Sequence, residues 1–81
     1  MIVYHRFWNT LRLRGISTYA LIHRHGVSSS TLSRLRKNQP LSTVTLDDLC
    51  RILHCGLEDI AQYVAEAGDD HPSEHPSESW D

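Results

Sequence analysis

The chain has 81 residues, a length that allows one domain with only a modest core. Two cysteines are too few for a disulfide framework, and the apolar residues around Cys50 and Cys55 predict buried thiols in a reducing cytosol. The sequence contains neither the roughly 18 consecutive apolar residues of a membrane span nor a signal peptide at its start, and these observations predict a small cytoplasmic protein.

The charged residues are unevenly distributed along the chain. Residues 1–46 hold seven bases and no acid, whereas the rest holds one base and all ten acids, for a net charge of −2. Six of those acids lie in residues 66–81, so residues 1–65 alone carry a net charge of +4. Runs of charge are often ordinary solvated surface. A first half without any carboxylate is nevertheless typical of a surface that binds a polyanion.

Two short helices are predicted at the start of the chain. Apolar residues recur at helical spacing up to Gly15, which predicts a first helix over residues 5–14. Ser17 is a suitable N-cap for a second helix, and Gly26 is a natural residue for its end.

A third helix is predicted in GVSSSTLSRLRKN, residues 26–38, a stretch that is polar and basic yet contains Leu32 and Leu35. Ser28 can cap this helix, and Asn38 can end it because asparagine tolerates a left-handed backbone. A short helix, a tight glycine turn and another short helix are typical of a helix-turn-helix. In that motif the two leucines fix the third helix on the core. The opposite face stays polar enough to enter the DNA major groove, which is about 12 Å wide.

Two further helices complete the predicted domain. Thr45 is a suitable N-cap for the fourth, Asp47 and Asp48 suit the positive end of its dipole, and Gly56 ends it. A fifth short helix is predicted near residues 57–66. Apart from a few residues at the start, no segment alternates with the period of a strand, so the predicted fold class is all-α with five helices.

The composition changes after Gly68, where carboxylates and prolines replace apolar residues and the tetrapeptide HPSE occurs twice in residues 71–78. Such a segment buries too little apolar surface to offset the entropy of ordering it. We therefore predict a helical domain over residues 1–66 and a disordered acidic tail over residues 67–81.

The segment STYALIHRHGVSSSTLSRLRKN, residues 17–38, resembles the lambda-repressor-like, Cro/CI-type family, also called the XRE family. The segment TLDDLCRILHCGLEDI, residues 45–60, is similar to the fourth and fifth helices of that family, and the start of the chain is similar to a short stand-alone subgroup. The resemblance covers residues 2–65 and implies a compact five-helix domain whose second and third helices form the helix-turn-helix. The positions that match the family pattern are Leu21, Gly26, Val27, Ser28, Thr31, Leu32, Ser33 and Leu35.

The resemblance implies a sequence-specific regulator of transcription that binds double-stranded DNA, with repression as the expected mode. The base-reading positions of the family fall on Ser29, Ser30 and Arg34. An arginine in the major groove most commonly donates to guanine O6 and N7 together. The expected contacts to the DNA backbone are Ser17, Thr18, Ser28, Thr31, Lys37 and Asn38.

One such module buries too little surface for tight binding, so we expect a homodimer on a palindromic site. The fifth predicted helix is the last structured piece, and an exposed apolar patch on it would be a dimer surface. The residues expected there are Ile60, Tyr63 and Val64.

Four positions depart from the family pattern. Thr18 replaces a glutamine that often braces the recognition helix and contacts phosphate, and a threonine reaches less far. Ile22 stands where alanine is usual, close to where the second and third helices meet. Arg36 replaces a common glutamate, and it can pack, pair with Asp47 or Asp48, or reach a phosphate. Asn38 replaces the usual glycine, which is a mild change because asparagine adopts the same backbone conformation.

Other functions receive less support from the sequence. A protein-interaction module, such as an antitoxin-like domain whose basic face meets an acidic partner, is the alternative to a DNA-binding regulator. We expect no enzyme, because no glycine-flanked nucleophile turn occurs, and no cofactor. Cys50 and His54 lie one helical turn apart, but no further pair completes a tetrahedral zinc site, so we expect no metal. The apolar surroundings of Cys50 and Cys55 also argue against redox sensing.

Overall fold

Four short α-helices make up most of the computed structural model, which describes residues 1–65. The predicted disordered tail, residues 67–81, lies outside the described residues. Within the described part of the chain, no helix is long and apolar enough to cross a membrane. The elements in chain order are β1 (Ile2–Val3), α1 (His5–Arg14), α2 (Thr18–His23), α3 (Ser29–Arg36), α4 (Thr43–Leu53), a 3-10 helix (Leu57–Asp59) and β2 (Gln62–Tyr63).

Both predicted N-caps of the helix-turn-helix are confirmed. The Ser17 hydroxyl accepts a hydrogen bond from the Ala20 N–H at 3.0 Å, and the Ser28 hydroxyl accepts one from the Thr31 N–H at 3.1 Å. Each bond satisfies a backbone donor that the first helical turn cannot satisfy itself, and such a cap contributes about 1 kcal/mol. The starts of α2 and α3 are therefore fixed by local sequence.

Two predicted helix ends are also confirmed by backbone geometry. Gly15 follows α1 with a φ of 69°, and Asn38 follows α3 with a φ of 55°, both in the left-handed region. The Asn38 side chain has a further role, because its Oδ1 accepts a hydrogen bond from the Tyr4 N–H at 3.0 Å. The Tyr4 hydroxyl donates to the Gln39 carbonyl at 2.9 Å, and burial raises the pKa of this tyrosine. The residues after α3 are thereby tied to the start of α1.

The predicted bounds of α4 were wrong at both ends. The N-cap is Ser42, whose hydroxyl accepts from the Thr45 N–H at 3.1 Å, so Thr45 lies inside the first turn. The helix stops at His54, which is left-handed with a φ of 54°, whereas Gly56 has an ordinary φ of −89°. Similarly, α2 ends at His23, and Gly26 with a φ of 74° lies in the turn beyond it.

The prediction of a fifth helix over residues 57–66 was wrong. A single 3-10 turn is followed by β2, which pairs antiparallel with β1 so that Ile2 lies opposite Tyr63. The Val64 N–H also donates to the Met1 carbonyl at 2.8 Å, and the Met1 amino group donates to the Val64 carbonyl at 2.8 Å. The backbone groups that a helix would use internally are therefore used by the first residues of the chain.

The core is one cluster to which every helix contributes. Ile60 belongs to it and is fully buried, because the 3-10 helix before it packs against α1 and α4. Its predicted place on an exposed dimer surface was therefore wrong. The buried apolar residues are Tyr4, Phe7, Leu11, Leu21, Leu32, Leu35, Leu49, Leu53 and Ile60.

Polar side chains of α1 hold the later elements in place. The Thr10 hydroxyl, which is nearly buried, donates to the Asp59 carbonyl at 2.9 Å. Arg14 donates from Nε to the Leu53 carbonyl at 2.8 Å and from Nη2 to the His54 carbonyl at 2.9 Å. A cation at this position also interacts favourably with the negative end of the helix dipole. Arg14 is thus the C-terminal cap of α4.

The two cysteines are partly exposed, and the prediction of buried thiols was wrong. Cys50 lies in the last turn of α4, and Cys55 lies just after that helix has ended. The chain turns at the surface here, so apolar neighbours in the sequence do not enclose either thiol.

Candidate nucleic-acid interface

The turn between α2 and α3 is set by one glycine and one backbone hydrogen bond. Gly26 has a φ of 74°, a backbone conformation that residues with a Cβ rarely adopt. The Val27 N–H then donates to the Leu21 carbonyl at 2.9 Å, which draws the chain back onto the end of α2. Leu21 is fully buried, so this short turn fixes the position of α3 relative to the core.

The two sides of α3 differ as the helix-turn-helix prediction requires. Leu32 is 2% exposed and Leu35 is 1% exposed, so one side of the helix is locked onto the core. Ser29, Ser30 and Arg34 are all exposed on the other side. All three predicted base-reading residues are therefore accessible from solvent.

Arg34 also contacts the loop that follows its own helix. Its Nη1 donates to the Pro40 carbonyl at 3.5 Å, a long hydrogen bond at the exposed surface. A guanidinium has five N–H donors, and this contact uses one of them. Arg34 therefore retains enough donors for bidentate recognition of a ligand, and the loop restrains where the guanidinium lies.

The predicted backbone-contact residues at the starts of α2 and α3 have structural roles. The Ser17 hydroxyl oxygen accepts the capping bond of α2, and its proton remains available for donation. The Ser28 and Thr31 hydroxyls lie 3.0 Å apart and hydrogen-bond to each other, in addition to the Ser28 capping bond.

The remaining predicted backbone contacts differ in accessibility. Lys37 is exposed at the C-terminal end of α3. Asn38 and Thr18 are half-buried, and the side-chain Oδ1 of Asn38 already accepts a hydrogen bond from the Tyr4 N–H. Only the amide NH₂ group of Asn38 is left to donate to a phosphate.

Several arginines of the basic first half make contacts within the protein. The Arg36 guanidinium lies over the Trp8 ring, 5.3 Å from its centroid, which answers the question left open for this residue: it packs. Arg14 caps α4, and Arg6 donates to the Glu58 carbonyl at 3.3 Å. These contacts leave the positive charges in place but restrain where the three guanidinium groups lie. These three contacts join residues far apart in sequence, and no local pattern indicated them.

A polar cleft of about 480 Å³ lies between the helix-turn-helix turn and α4. Arg24 and His25 line it together with Arg51, which forms an ion pair with Asp48 on the same helix. The cleft places the guanidinium groups of Arg24 and Arg51 near the start of α3. No pattern in the sequence indicated this cleft.

Comparison with known proteins supports the assignment of α2 and α3 as a helix-turn-helix. A family model described as the Cro/C1-type HTH DNA-binding domain matches residues 6–66. No curated protein matches the chain. The crystal structure of the transcriptional regulator VanUg is similar, with a TM-score of 0.72 and 32% sequence identity over 80% of this chain and 87% of that chain. With a helix-turn-helix built from α2 and α3 and a family match over most of its length, this chain belongs to the Cro/C1-type helix-turn-helix DNA-binding family.

Proposed function

We propose that this protein is a sequence-specific regulator of transcription that inserts α3 into the major groove of double-stranded DNA. The observation that most supports the proposal is the arrangement of α3. Leu32 and Leu35 lock the helix onto the core, while Ser29, Ser30 and Arg34 are exposed together. In helix-turn-helix proteins the residues near the start of this helix contact the base edges.

Arg34 is the main determinant of sequence preference in this proposal. Its free N–H donors suit guanine O6 and N7, a bidentate contact worth roughly 1–3 kcal/mol of discrimination. Ser29 and Ser30 have short side chains, so they let the helix approach the bases closely and add weak hydrogen bonds. Lys37, together with Ser17 at the start of α2, contacts the phosphates and sets the register of the protein on the duplex.

Repression is the mode that the domain supports best. A protein that occupies a site near a promoter blocks other proteins without any further activity, and a helix-turn-helix domain alone supplies that occupancy. The transcriptional regulator VanUg, which has a similar structure, is consistent with a role in transcription.

The protein binds as a homodimer in this proposal, because two modules on half-sites about 34–36 Å apart bury enough surface for tight binding. Tyr63 and Val64 remain candidates for the dimer surface, and both are exposed. Ile2 and Leu57 are also exposed, whereas Ile60 is buried and does not belong to this surface. We name the surface formed by Ile2, Leu57, Tyr63 and Val64 the strand-end surface. It is apolar and lies at the end of the domain formed by the β1–β2 pair.

DNA selection followed by fluorescence anisotropy tests the proposal. Sites are selected from a randomised duplex pool, and the affinity of the wild-type protein is compared between a selected site and random DNA. We expect the selected site to bind tighter by on the order of a thousandfold, and its two half-sites to be related by two-fold symmetry.

Arg34→Ala and Arg12→Ala form a matched pair for the same assay, because each removes one exposed arginine and Arg12 lies on α1. Arg34→Ala should lower the preference for one base pair by about 5- to 150-fold, the equivalent of 1–3 kcal/mol. Arg12→Ala should leave base preference unchanged. Equal effects of the two variants would refute base recognition by Arg34, and no DNA binding even at low salt would favour the protein-interaction alternative.

A further inference from the structure

The end of α4 brings two cysteines of the chain together. His54 adopts a left-handed conformation, and both its N–H and the Cys55 N–H donate to the Cys50 carbonyl, the latter at 3.1 Å. A bond from the second residue beyond a helix back to the carbonyl five positions earlier defines the Schellman motif. In that motif the side chains at these two positions usually meet in a hydrophobic contact. Here both positions are cysteines.

The side chains are placed as the backbone motif requires. The Cys50 and Cys55 thiols lie close enough for each to affect the pKa of the other, and both side chains are partly exposed. Small reagents can therefore reach two neighbouring thiols. An isolated surface cysteine would lack this arrangement.

Neighbouring contacts hold the turn that carries the two thiols. Arg14 binds the carbonyls of Leu53 and His54, the two residues before Cys55. On the other side, the Gly56 N–H donates to Asp59 Oδ2 at 3.1 Å. Hydrogen bonds thus hold the chain on both sides of Cys55, so bringing the sulfurs together requires little ordering of the chain.

We infer that Cys50 and Cys55 form a dithiol site that low-molecular-weight disulfides oxidise to an intramolecular disulfide. One cysteine, as its thiolate, attacks a sulfur of the oxidant, forms a mixed disulfide and releases one small thiolate. The second cysteine attacks the protein sulfur of that mixed disulfide, closes the Cys50–Cys55 bond and releases the second small thiolate. The protein loses two protons and two electrons, and the oxidant takes them up to become two thiols.

The site has moderate rather than high reactivity. Burial raises the pKa of both thiols, and the carboxylates of Asp47, Glu58 and Asp59 raise that of Cys50 further. At neutral pH both groups are therefore mainly protonated, so oxidation is slow compared with that of a low-pKa cysteine. Closure after the first step is fast, because the resolving thiol is already adjacent.

The Cys50–Cys55 disulfide forms beside an exposed part of the protein surface. Cys50 lines a shallow cleft with Leu46 and Leu57, next to the start of the 3-10 helix. A covalent link from α4 to Cys55 restrains the segment that leads to Leu57, which belongs to the strand-end surface. The inference about the disulfide itself does not depend on the proposed function.

Mass spectrometry of the full chain tests the inference. The reduced protein is incubated with glutathione disulfide, remaining thiols are alkylated, and the products are digested with trypsin without reduction. Arg51 separates the two cysteines, so cleavage yields residues 38–51 and residues 52–81 as different peptides. We expect these two peptides to be joined by a disulfide within one chain, and dithiothreitol to separate them.

The variants Cys50→Ser and Cys55→Ser provide the control, since each retains one thiol that cannot be resolved within the chain. Both should accumulate the glutathione mixed disulfide, whereas the wild type should hold about a tenth of that amount or less. Stable mixed disulfides on the wild type, or disulfides between chains without the linked peptide pair, would overturn the inference. The wild-type result is decisive even if a variant folds poorly.

Discussion

Asn38 offers a direct test of how the helix-turn-helix is joined to the rest of the domain. It combines a left-handed backbone with a side-chain hydrogen bond to the Tyr4 N–H, a contact between residues 34 positions apart. Asn38→Gly keeps the backbone conformation and removes the side-chain acceptor. Because the Tyr4 N–H is partly buried, losing this acceptor should cost about 1 kcal/mol.

Two further variants separate the contributions of the backbone conformation and of the side-chain hydrogen bond to the free energy of unfolding. Asn38→Ala removes the acceptor and also removes the polar side chain whose local hydrogen bonding lets asparagine tolerate the left-handed region, which costs about 1 kcal/mol more. We therefore expect a total loss of about 2 kcal/mol for alanine. Asn38→Asp keeps an acceptor and tolerates the same backbone, so its stability should stay within about 0.5 kcal/mol of the wild type.

Urea denaturation followed by far-UV circular dichroism measures these differences in the free energy of unfolding. In a domain of this size 1 kcal/mol corresponds to about 4–8 °C in Tm, so thermal unfolding resolves them as well. The order of stability should be wild type and Asn38→Asp, then Asn38→Gly, then Asn38→Ala. If Asn38→Gly is as stable as the wild type, the hydrogen bond to Tyr4 contributes nothing, and only the φ angle matters at this position.

Four other changes have outcomes that follow from the structure and the sequence. Arg36→Ala should cost about 0.5–1 kcal/mol in denaturation by removing the cation from the Trp8 ring, while anisotropy should find the DNA site preference unchanged. Oxidation of the dithiol by glutathione disulfide should be about tenfold faster at pH 8 than at pH 7, because both thiol pKa values lie above their usual value and the thiolate is the attacking species. A rate independent of pH would contradict this. Truncation after Gly68 removes five acids and should raise the affinity for random DNA at low salt, since those charges compete with phosphate; equal affinity would exclude that competition. Val64→Glu should lower the dimer fraction in sedimentation, whereas Leu13→Glu, at an 83% exposed position on α1, should not.

The first three helices could be predicted from the sequence because their signals are local. Ser17 and Ser28 cap helices whose first turns lie within three residues, and Gly15 and Asn38 adopt the left-handed conformations expected at helix ends. The start of α4 was ambiguous for the same reason: Ser42 and Thr45 are both good caps. Local sequence does not decide between them.

The errors concern contacts between distant parts of the chain. Residues 57–66 contain helix-compatible spacing, but pairing of β2 with β1 uses their backbone groups instead. The Arg14 cap and the stacking of Arg36 on Trp8 likewise depend on where α1 packs. For the candidate site, family resemblance identified the exposed residues of α3. It could not predict that Asn38 is engaged by Tyr4.

The antiparallel pair of β1 and β2 has a consequence for how the chain folds. The contact between Met1 and Val64 joins residues 63 positions apart, and such a pairing closes nearly the whole described chain into a loop. The contacts among helices α1 to α4 join residues that are closer in sequence. The helices should therefore assemble first and the strand pair last, because contacts between distant residues form more slowly. The pair is also short and lies at the surface, so its amides should exchange with solvent through local fraying rather than global unfolding. A second copy that covered this pair would hold both ends of residues 1–65 together, and dimerisation would then stabilise the domain as well as strengthen its binding to DNA.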